Sequence, residues 1–372
     1  MKFLIITHVE HKSNGTSFSA YAPYVREMNL WLKHVENLTI VAPQTSKIKS
    51  EIDLDYKHEN IKFNEIPSIQ FTDLKNAFVS LFKIPIILIG IYKACNKADH
   101  IHLRCPGNIG LLGCLVQIFF PKKNKTAKYA GNWDPNAKQP LSYRIQKWML
   151  SNTFLTKNMS VLVYGNWENQ TQNIKPFFTA TFKENEIEPI EPRDYSGGLQ
   201  FVFVGTLVEG KRPSLAIQII ERLQEKGKKV RLDIFGDGVL RGDLEDYVKT
   251  KGLNHIIQFH GNQEKQKVKN VLKRAHFLIL PSKSEGWPKV IAEAMFFGTI
   301  PIATSISCLP DMLGFGNRGI LIKLDLDAAL EEIERHLNDT ENLKQVSKNA
   351  ANWSQNYTLD FFETEIVKLL KA

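Results

Sequence analysis

Cysteine is scarce in this chain. Its 372 residues include four, Cys95, Cys105, Cys114 and Cys308, with no paired or metal-like spacing. That excludes a disulfide scaffold and a zinc cluster, and it fits a reduced, cytoplasmic protein. A cleavable leader is not expected, because MKFLIITHVEHK passes directly into a strand pattern. Long apolar runs are missing as well. The two longest, around Ile84 to Tyr92 and Ile109 to Phe120, fall short of the ~20 residues that cross a bilayer, so no spanning helix is expected. Repeats of solenoid period and low-complexity tracts are absent, which excludes repeat arrays.

What is present is the composition of a globular protein, 43% hydrophobic and 23% charged, which rules out a chain dominated by disorder. At ~150 residues per domain, the length points to two domains. The net charge of +9 favours an anionic partner: nucleic acid, an anionic lipid surface or a phosphorylated substrate. The cations read as spread along the chain and no nucleic-acid-binding module appears, so nucleic acid is not expected as the partner. Lys122, Lys123, Lys125 and Lys128 follow Ile118-Phe119-Phe120 after one proline. That grouping suits docking on an anionic membrane, and equally a solvated loop after a buried helix.

Short apolar runs alternate with helical patterns throughout. In the first half they are Phe3–Thr7, Leu38–Val41, His100–Leu103, Ala127–Ala130 and Val161–Tyr164. In the second they are Leu199–Gly205, Val230–Phe235, Ile256–His260, Phe277–Leu280, Ile300–Ala303 and Gly319–Ile322. Alternation of this kind implies parallel sheets covered on both faces. Around Glu184 to Gly198 it stops, in a segment rich in Glu, Pro and Gly. The expected organisation is therefore two doubly wound Rossmann-like domains, residues 1–190 and 191–355. Residues 356–372 are expected to form a helix returning to the first domain.

In such sheets ligands bind beyond the carboxyl ends of the strands, and three loops there carry chemistry. Gly205-Thr206-Leu207-Val208-Glu209-Gly210-Lys211-Arg212-Pro213 sets two cations at a helix start, where a diphosphate would be favoured; the bland alternative is a basic surface turn. Phe235-Gly236-Asp237-Gly238 is a tight turn at a strand end, weak as a ligand signal by itself. Leu280 through Met295 ends a strand, turns at Gly286, and starts a helix after Pro288, with Glu285 before the helix and Glu293 within it. Ile291, Ala292, Ala294, Met295 and Phe296 surround Glu293, so its carboxylate needs a hydrogen-bonding partner, for which ligand hydroxyls are suited.

The string from Phe277 to Thr304, with two glutamates separated by seven residues and the strand Ile300-Pro301-Ile302-Ala303-Thr304, resembles the donor-site signature of glycosyltransferase family 4. Gly205 with Lys211, the Gly236 turn and Phe259-His260-Gly261 fall in that family's order. The resemblance covers the second half and extends loosely over the first. It implies a GT-B fold, two Rossmann-like domains facing a cleft, and a retaining transferase that needs no bound metal or other cofactor. Its co-substrate would be a nucleoside-diphosphate sugar, and its acceptor a glycan or lipid-linked glycan in cell-surface polysaccharide assembly. Carried over position by position, Lys211 is similar to the family's diphosphate lysine and Glu293 to the carboxylate on the ribose hydroxyls. Glu285 is similar to the glutamate beside the transferred sugar. Amides from Trp287, Pro288's successor Lys289 and Val290 would meet the phosphates, with Gly286 allowing close approach, and the loop at Gly261 would lie near the base.

Thr206 stands where the family often has arginine, a gap that Arg212, Lys289 or Arg104 would fill. Gly131-Asn132-Trp133-Asp134 stands where many members have a histidine, and Gly15 is what remains of an N-terminal glycine pair. The acceptor side is assigned to Gly15, Arg104, Asn132, Trp133 and Asp134, with Trp133 suited either to stacking on a sugar ring or to the core. Asp53-Leu54-Asp55 and Asp325-Leu326-Asp327 look like short metal motifs but read as solvated loop or cap acids. Two rival classes remain, a sugar-nucleotide epimerase of the same fold and a basic nucleic-acid-binding protein.

Overall fold

The computed structural model describes residues 1–371 except 16, 51 and 71–73, and divides into two units. One comprises Met1–Phe178 with the segment from Phe362 onward, the other Thr179–Phe361.

The N-terminal unit contains β1 (Lys2–Ile6), β2 (Lys12–Asn14), β3 (Ser17–Tyr21), α1 (Ala22–Leu32), β4 (Asn37–Ala42), β5 (Asp53–Asp55) and β6 (Ile61–Glu65). It continues through α2 (Leu74–Lys97), β7 (His100–Cys105), α3 (Asn108–Val116), β8 (Asn124–Tyr129), α4 (Leu141–Leu150), β9 (Met159–Tyr164) and β10 (Ile174–Phe177). Seven strands form a parallel sheet in the order β10-β9-β8-β7-β1-β4-β6. Phe3, Leu4, Ile5 and Ile6 are all buried, as befits a strand covered on both faces. The short strands β2, β3 and β5 make a separate antiparallel sheet.

Here the structure corrects two expectations. Asp53 is no solvated loop acid: it lies in β5, and the Lys12 ammonium 2.5 Å away holds its carboxyl down to about 2. The apolar run near Ile84 belongs to a longer element, since the 20 residues Phe78–Lys97 form a helix long and apolar enough to cross a membrane by length and composition. One side of it, Ile87, Ile91, Ala94 and Cys95, is packed into the core.

In the C-terminal unit β11 (Leu199–Val204), α5 (Pro213–Glu225), β12 (Val230–Phe235), α6 (Arg241–Thr250), β13 (Ile257–Gly261), α7 (Lys265–Arg274) and β14 (Phe277–Leu280) come first. They are followed by α8 (Lys289–Phe296), β15 (Ile300–Thr304), α9 (Leu309–Met312), β16 (Ile320–Ile322), α10 (Leu326–Leu337), α11 (Thr340–Ser354) and α12 (Leu359–Lys371), whose residues from Phe362 group with the N-terminal unit. Its six strands are parallel in the order β13-β12-β11-β14-β15-β16. Counted within the unit, that is 3-2-1-4-5-6, the doubly wound order whose direction reverses between β11 and β14. Asp325 caps α10 by accepting from the amide of Ala328 at 2.9 Å, the cap acid expected there.

Candidate active site

The point of reversal in the C-terminal sheet lies between β11 and β14, and the loops that leave these two strands carry the residues singled out in the sequence. The loop after β11 runs from Gly205 to Arg212, the one after β14 from Pro281 to Pro288. Lys283 donates its backbone N–H to Gly210 O at 2.8 Å, joining the loops through the main chain. Lys211 Nζ lies 2.6 Å from Glu285 Oε1, joining them through side chains. The lysine is partly exposed and the glutamate buried. A partly exposed cation therefore faces a buried carboxylate where a doubly wound sheet holds its ligand, and a second, exposed pair, Lys283 with Glu209 at 3.6 Å, spans the same two loops.

Several neighbours fix that pair. The Cys308 thiol donates to Gly286 O at 2.9 Å, and Thr304 Oγ1 donates to Ser282 O at 2.5 Å. Burial above all pushes the Cys308 thiol up to about 12, so it stays protonated and remains a donor. Neither contact was legible in the sequence, because Thr304 and Cys308 approach the loop from the end of β15 and the turn beyond it.

Gly236 and Gly238 serve packing between loops. A Cβ on Gly236, whose φ is +133°, would lie 2.0 Å from Gly205 O, and one on Gly238 would lie 2.5 Å from Leu207 O. The β12 loop is thus laid backbone on backbone against the β11 loop, with Leu207 N–H donating to Asp237 O at 3.0 Å. Gly261 ends β13 beside Arg241, which is paired with Asp237 and Glu245 at 3.0 and 2.8 Å.

The remaining donor-side candidates are placed as follows. Arg212 sits at the N-terminus of α5 with φ +50° and gives its guanidinium to Leu324 O at 3.0 Å. Pro288 precedes α8 and Lys289 begins it. Trp287 stacks on Trp353 with ring centroids 6.2 Å apart, and Val290 packs on the core. Glu293, half-buried on α8, does find a hydroxyl partner: Thr181 Oγ1 donates to it at 2.7 Å. The partner comes from a segment 112 residues upstream, beyond any sequence signal. No group of His, Cys, Asp or Glu suited to holding a metal occurs among the described residues.

The N-terminal unit has its own reversal, between β1 and β7. Arg104 lies next to the end of β7 there, 5.4 Å over the ring of Tyr24 and 3.7 Å from Glu27 Oε1, the same oxygen that Lys128 approaches to 4.0 Å. His8 joins this cluster; burial and then the charge of Arg104 hold its imidazole below its ordinary value. Glu27, Tyr24 and His8 carry no motif and were missed in the sequence. Asn132 accepts from the Asp134 amide at 2.9 Å and Asp134 from that of Asn136 at 2.8 Å, so both shape a turn. Gly15 lies in the turn between β2 and β3. Trp133 is not a sugar platform: it is 1% exposed, sits edge-on to Tyr129, and donates its indole N–H to Gln170 at 3.0 Å. Enclosed on all sides, its ring has no free face to stack.

The basic cluster also needs correction. Lys125 and Lys128 lie inside β8 and are buried, Lys128 beneath the rings of Tyr164, Phe177 and Phe362. Lys123 donates to the carbonyls of Cys95, Asn96 and Ala98 at the end of α2. Only Lys122 of the four is exposed.

Comparison with known proteins bears on the family and the fold. Residues 185–353 match the family described as Glycosyl transferases group 1. Over 175 residues the chain is 31% identical to the GalNAc-alpha-(1->4)-GalNAc-alpha-(1->3)-diNAcBac-PP-undecaprenol alpha-1,4-N-acetyl-D-galactosaminyltransferase of Campylobacter jejuni, covering 45% of this chain and 47% of that protein. A putative colanic acid biosynthesis glycosyltransferase, WcaL of Salmonella typhimurium, is 29% identical over 152 residues, 38% of this chain and 37% of its own. The chain thus aligns with less than half the length of these relatives. Likeness of fold extends further. Sucrose-phosphate synthase from Thermosynechococcus elongatus superposes with a TM-score of 0.69 at 14% identity, over 100% of this chain and 98% of that one. HepE of Anabaena, solved in complex with UDP and glucose, gives 0.67 at 13% identity over 100% of both. The fold is GT-B, and within it residues 185–353 are similar to the group 1 glycosyl transferases.

Proposed function

We propose that this protein is a retaining glycosyltransferase that moves a sugar from a nucleoside-diphosphate sugar to a glycan or lipid-linked acceptor in cell-surface polysaccharide or glycolipid assembly. The observation that carries the reading is the Lys211–Glu285 pair, which bridges the two loops at the reversal of the C-terminal sheet. A diphosphate bound there takes the lysine for itself, and the charge that grows on it as the glycosidic bond breaks is stabilised by Lys211 and the amides at the start of α8. Glu285, released from the lysine, faces the sugar. Glu293 exchanges the Thr181 hydroxyl for those of the ribose. No resident metal or organic cofactor is needed, since cation and amides supply the positive charge. Support for a lipid-linked acceptor comes from the Campylobacter relative, whose name specifies an undecaprenol diphosphate glycan. Such an enzyme works in the cytoplasm, at the inner face of the membrane.

The test is donor affinity by calorimetry together with turnover for single variants. Glu293→Gln should weaken donor binding roughly 10- to 150-fold, the range for a hydrogen bond to a charged group. Glu285→Gln should lower kcat more than it raises the donor KM, because its contact strengthens as charge develops. If Glu293→Gln binds the donor like the parent, and Glu285→Gln turns over at the parent rate, the site is elsewhere.

A further inference from the structure

The positive charge of this chain is concentrated in one segment. Between Leu74 and Trp167 the sequence holds thirteen Lys and Arg against two acids, Asp99 and Asp134. That excess of eleven is larger than the +9 of the whole chain, so the remainder is slightly acidic. This corrects the impression, from the sequence read linearly, of cations spread evenly.

The same segment carries exposed apolar side chains in an ordered arrangement. On α2 the residues opposite the buried side, Phe78, Phe82, Ile86 and Ile89, face solvent, Phe82 with 68% of its surface. Tyr92 meets Phe119 with ring centroids 6.4 Å apart, and Phe119 is 72% exposed. Helix α3 packs between α2 and α4. On α4 the exposed residues are Leu141, Ile145 and Trp148, one turn apart, followed by Phe154 beneath Lys157. A helix on the surface of a water-soluble unit ordinarily turns polar residues outward, so apolar outer faces on neighbouring helices mark a contact surface.

We propose that the outer faces of α2 and α4, with Phe119 between them, dock the N-terminal unit in the plane of an anionic lipid membrane. Charge complementarity selects lipid as the occupant: α2 and α3 contain no acid, and Lys93, Lys97, Lys122, Arg144 and Lys157 are exposed among the apolar residues. Apolar side chains enter the acyl boundary while the lysines meet anionic headgroups, and Tyr92 and Trp148 have the amphipathic rings that favour this depth. The helix lies flat and does not cross, because Ile87, Ile91, Ala94 and Cys95 tie its other side to the sheet. The proposal rests on the transferase reading only for its purpose, access to a lipid-linked acceptor.

Co-sedimentation with phosphatidylcholine vesicles, with and without phosphatidylglycerol, tests it. The parent should pellet with the phosphatidylglycerol vesicles. Lys93→Ser/Lys97→Ser/Lys122→Ser should bind them about a hundredfold more weakly, and Phe82→Ser/Ile86→Ser/Ile89→Ser at least as weakly. Bromine-labelled acyl chains should quench tryptophan fluorescence in the parent and much less in Trp148→Phe, which keeps the proposal testable should a triple variant misfold. Binding of nucleoside diphosphate should be unchanged in all of them, so its loss in the parent would count against the transferase reading alone. Three results would overturn the docking surface: a parent that does not pellet, an apolar triple variant that pellets like the parent, or a lipid-free dimer that this variant dissociates while pelleting is unaffected.

Discussion

The two units share one strand order up to the sixth strand and put opposite materials at the reversal point. In the C-terminal unit the loops there are held by main chain on main chain, with Gly236 against Gly205, and by the Lys211–Glu285 and Lys283–Glu209 ion pairs. In the N-terminal unit the corresponding place is filled by side chains: His8, Tyr24, Glu27 and Arg104, with Lys128 behind. A doubly wound sheet thus supplies a location and leaves its chemistry to the loops. Glycine contacts tolerate no added atom, whereas a side-chain cluster can rearrange.

The largest expected effect breaks that contrast directly. Gly236→Ala forces a Cβ onto a carbonyl oxygen that cannot move alone, at a cost of ~4 kcal/mol or more. Gly107→Ala at the other reversal meets the imidazole of His8 at 2.6 Å. That ring can swing away, which leaves the backbone strain of an alanine at φ +155°, so ~1–3 kcal/mol is expected. Urea unfolding measures both, and equal losses would erase the distinction.

Acid should separate the units next. Burial lowers His11 and His100 to about 4. A folded value below the unfolded one means that their contribution is complete above pH 6.5 and is lost as pH falls through about 4, up to ~3 kcal/mol each. Hydrogen exchange should therefore show β1 and β7 losing protection before β11 and β12 across that range. Simultaneous loss would show that the histidines do not set acid stability.

A smaller difference is expected when one cation is removed from each reversal point. Lys211→Met leaves the buried Glu285 facing an apolar group, which should lower stability by ~1–3 kcal/mol, and adding Glu285→Gln should recover most of it. Arg104→Met should cost less, since Lys128 also lies within 4.0 Å of Glu27. Thermal melts that rank these two variants the other way would contradict the geometry. Least of all is Lys122→Ser, exposed and expected to change stability by less than ~0.5 kcal/mol. Lys123→Ser removes the ammonium that caps α2 and should cost ~1 kcal/mol; equal melting temperatures would deny that cap.

Legibility in the sequence followed the range of the interactions. Strands such as Val230–Phe235 and Phe277–Leu280 were readable to the residue: the second is a continuous apolar run buried on both faces, and the first alternates apolar residues with Arg231 and Asp233 before closing on Ile234 and Phe235. β6 and β10 were missed: Ile61–Glu65 is only partly buried, and Ile174–Phe177 interrupts its pattern with Lys and Pro. Lys211, Glu285 and Glu293 could be singled out as candidates because each stands in a short local string at a strand end. Their supports, Thr181, Thr304 and Cys308, arrive through the fold. Lys128 misled for the same reason: a lysine in a strand reads as a boundary unless one knows that three aromatic rings and the Phe178 carbonyl, 3.1 Å away, await it.

One of those rings has a further consequence. Phe362 belongs to the N-terminal unit although the whole of Thr179–Phe361 precedes it in the chain. During synthesis the ribosome therefore releases every residue of the C-terminal unit before the residue that closes the wall around Lys128. The C-terminal unit is contiguous and can fold as soon as it emerges. Its neighbour, begun first, is completed last.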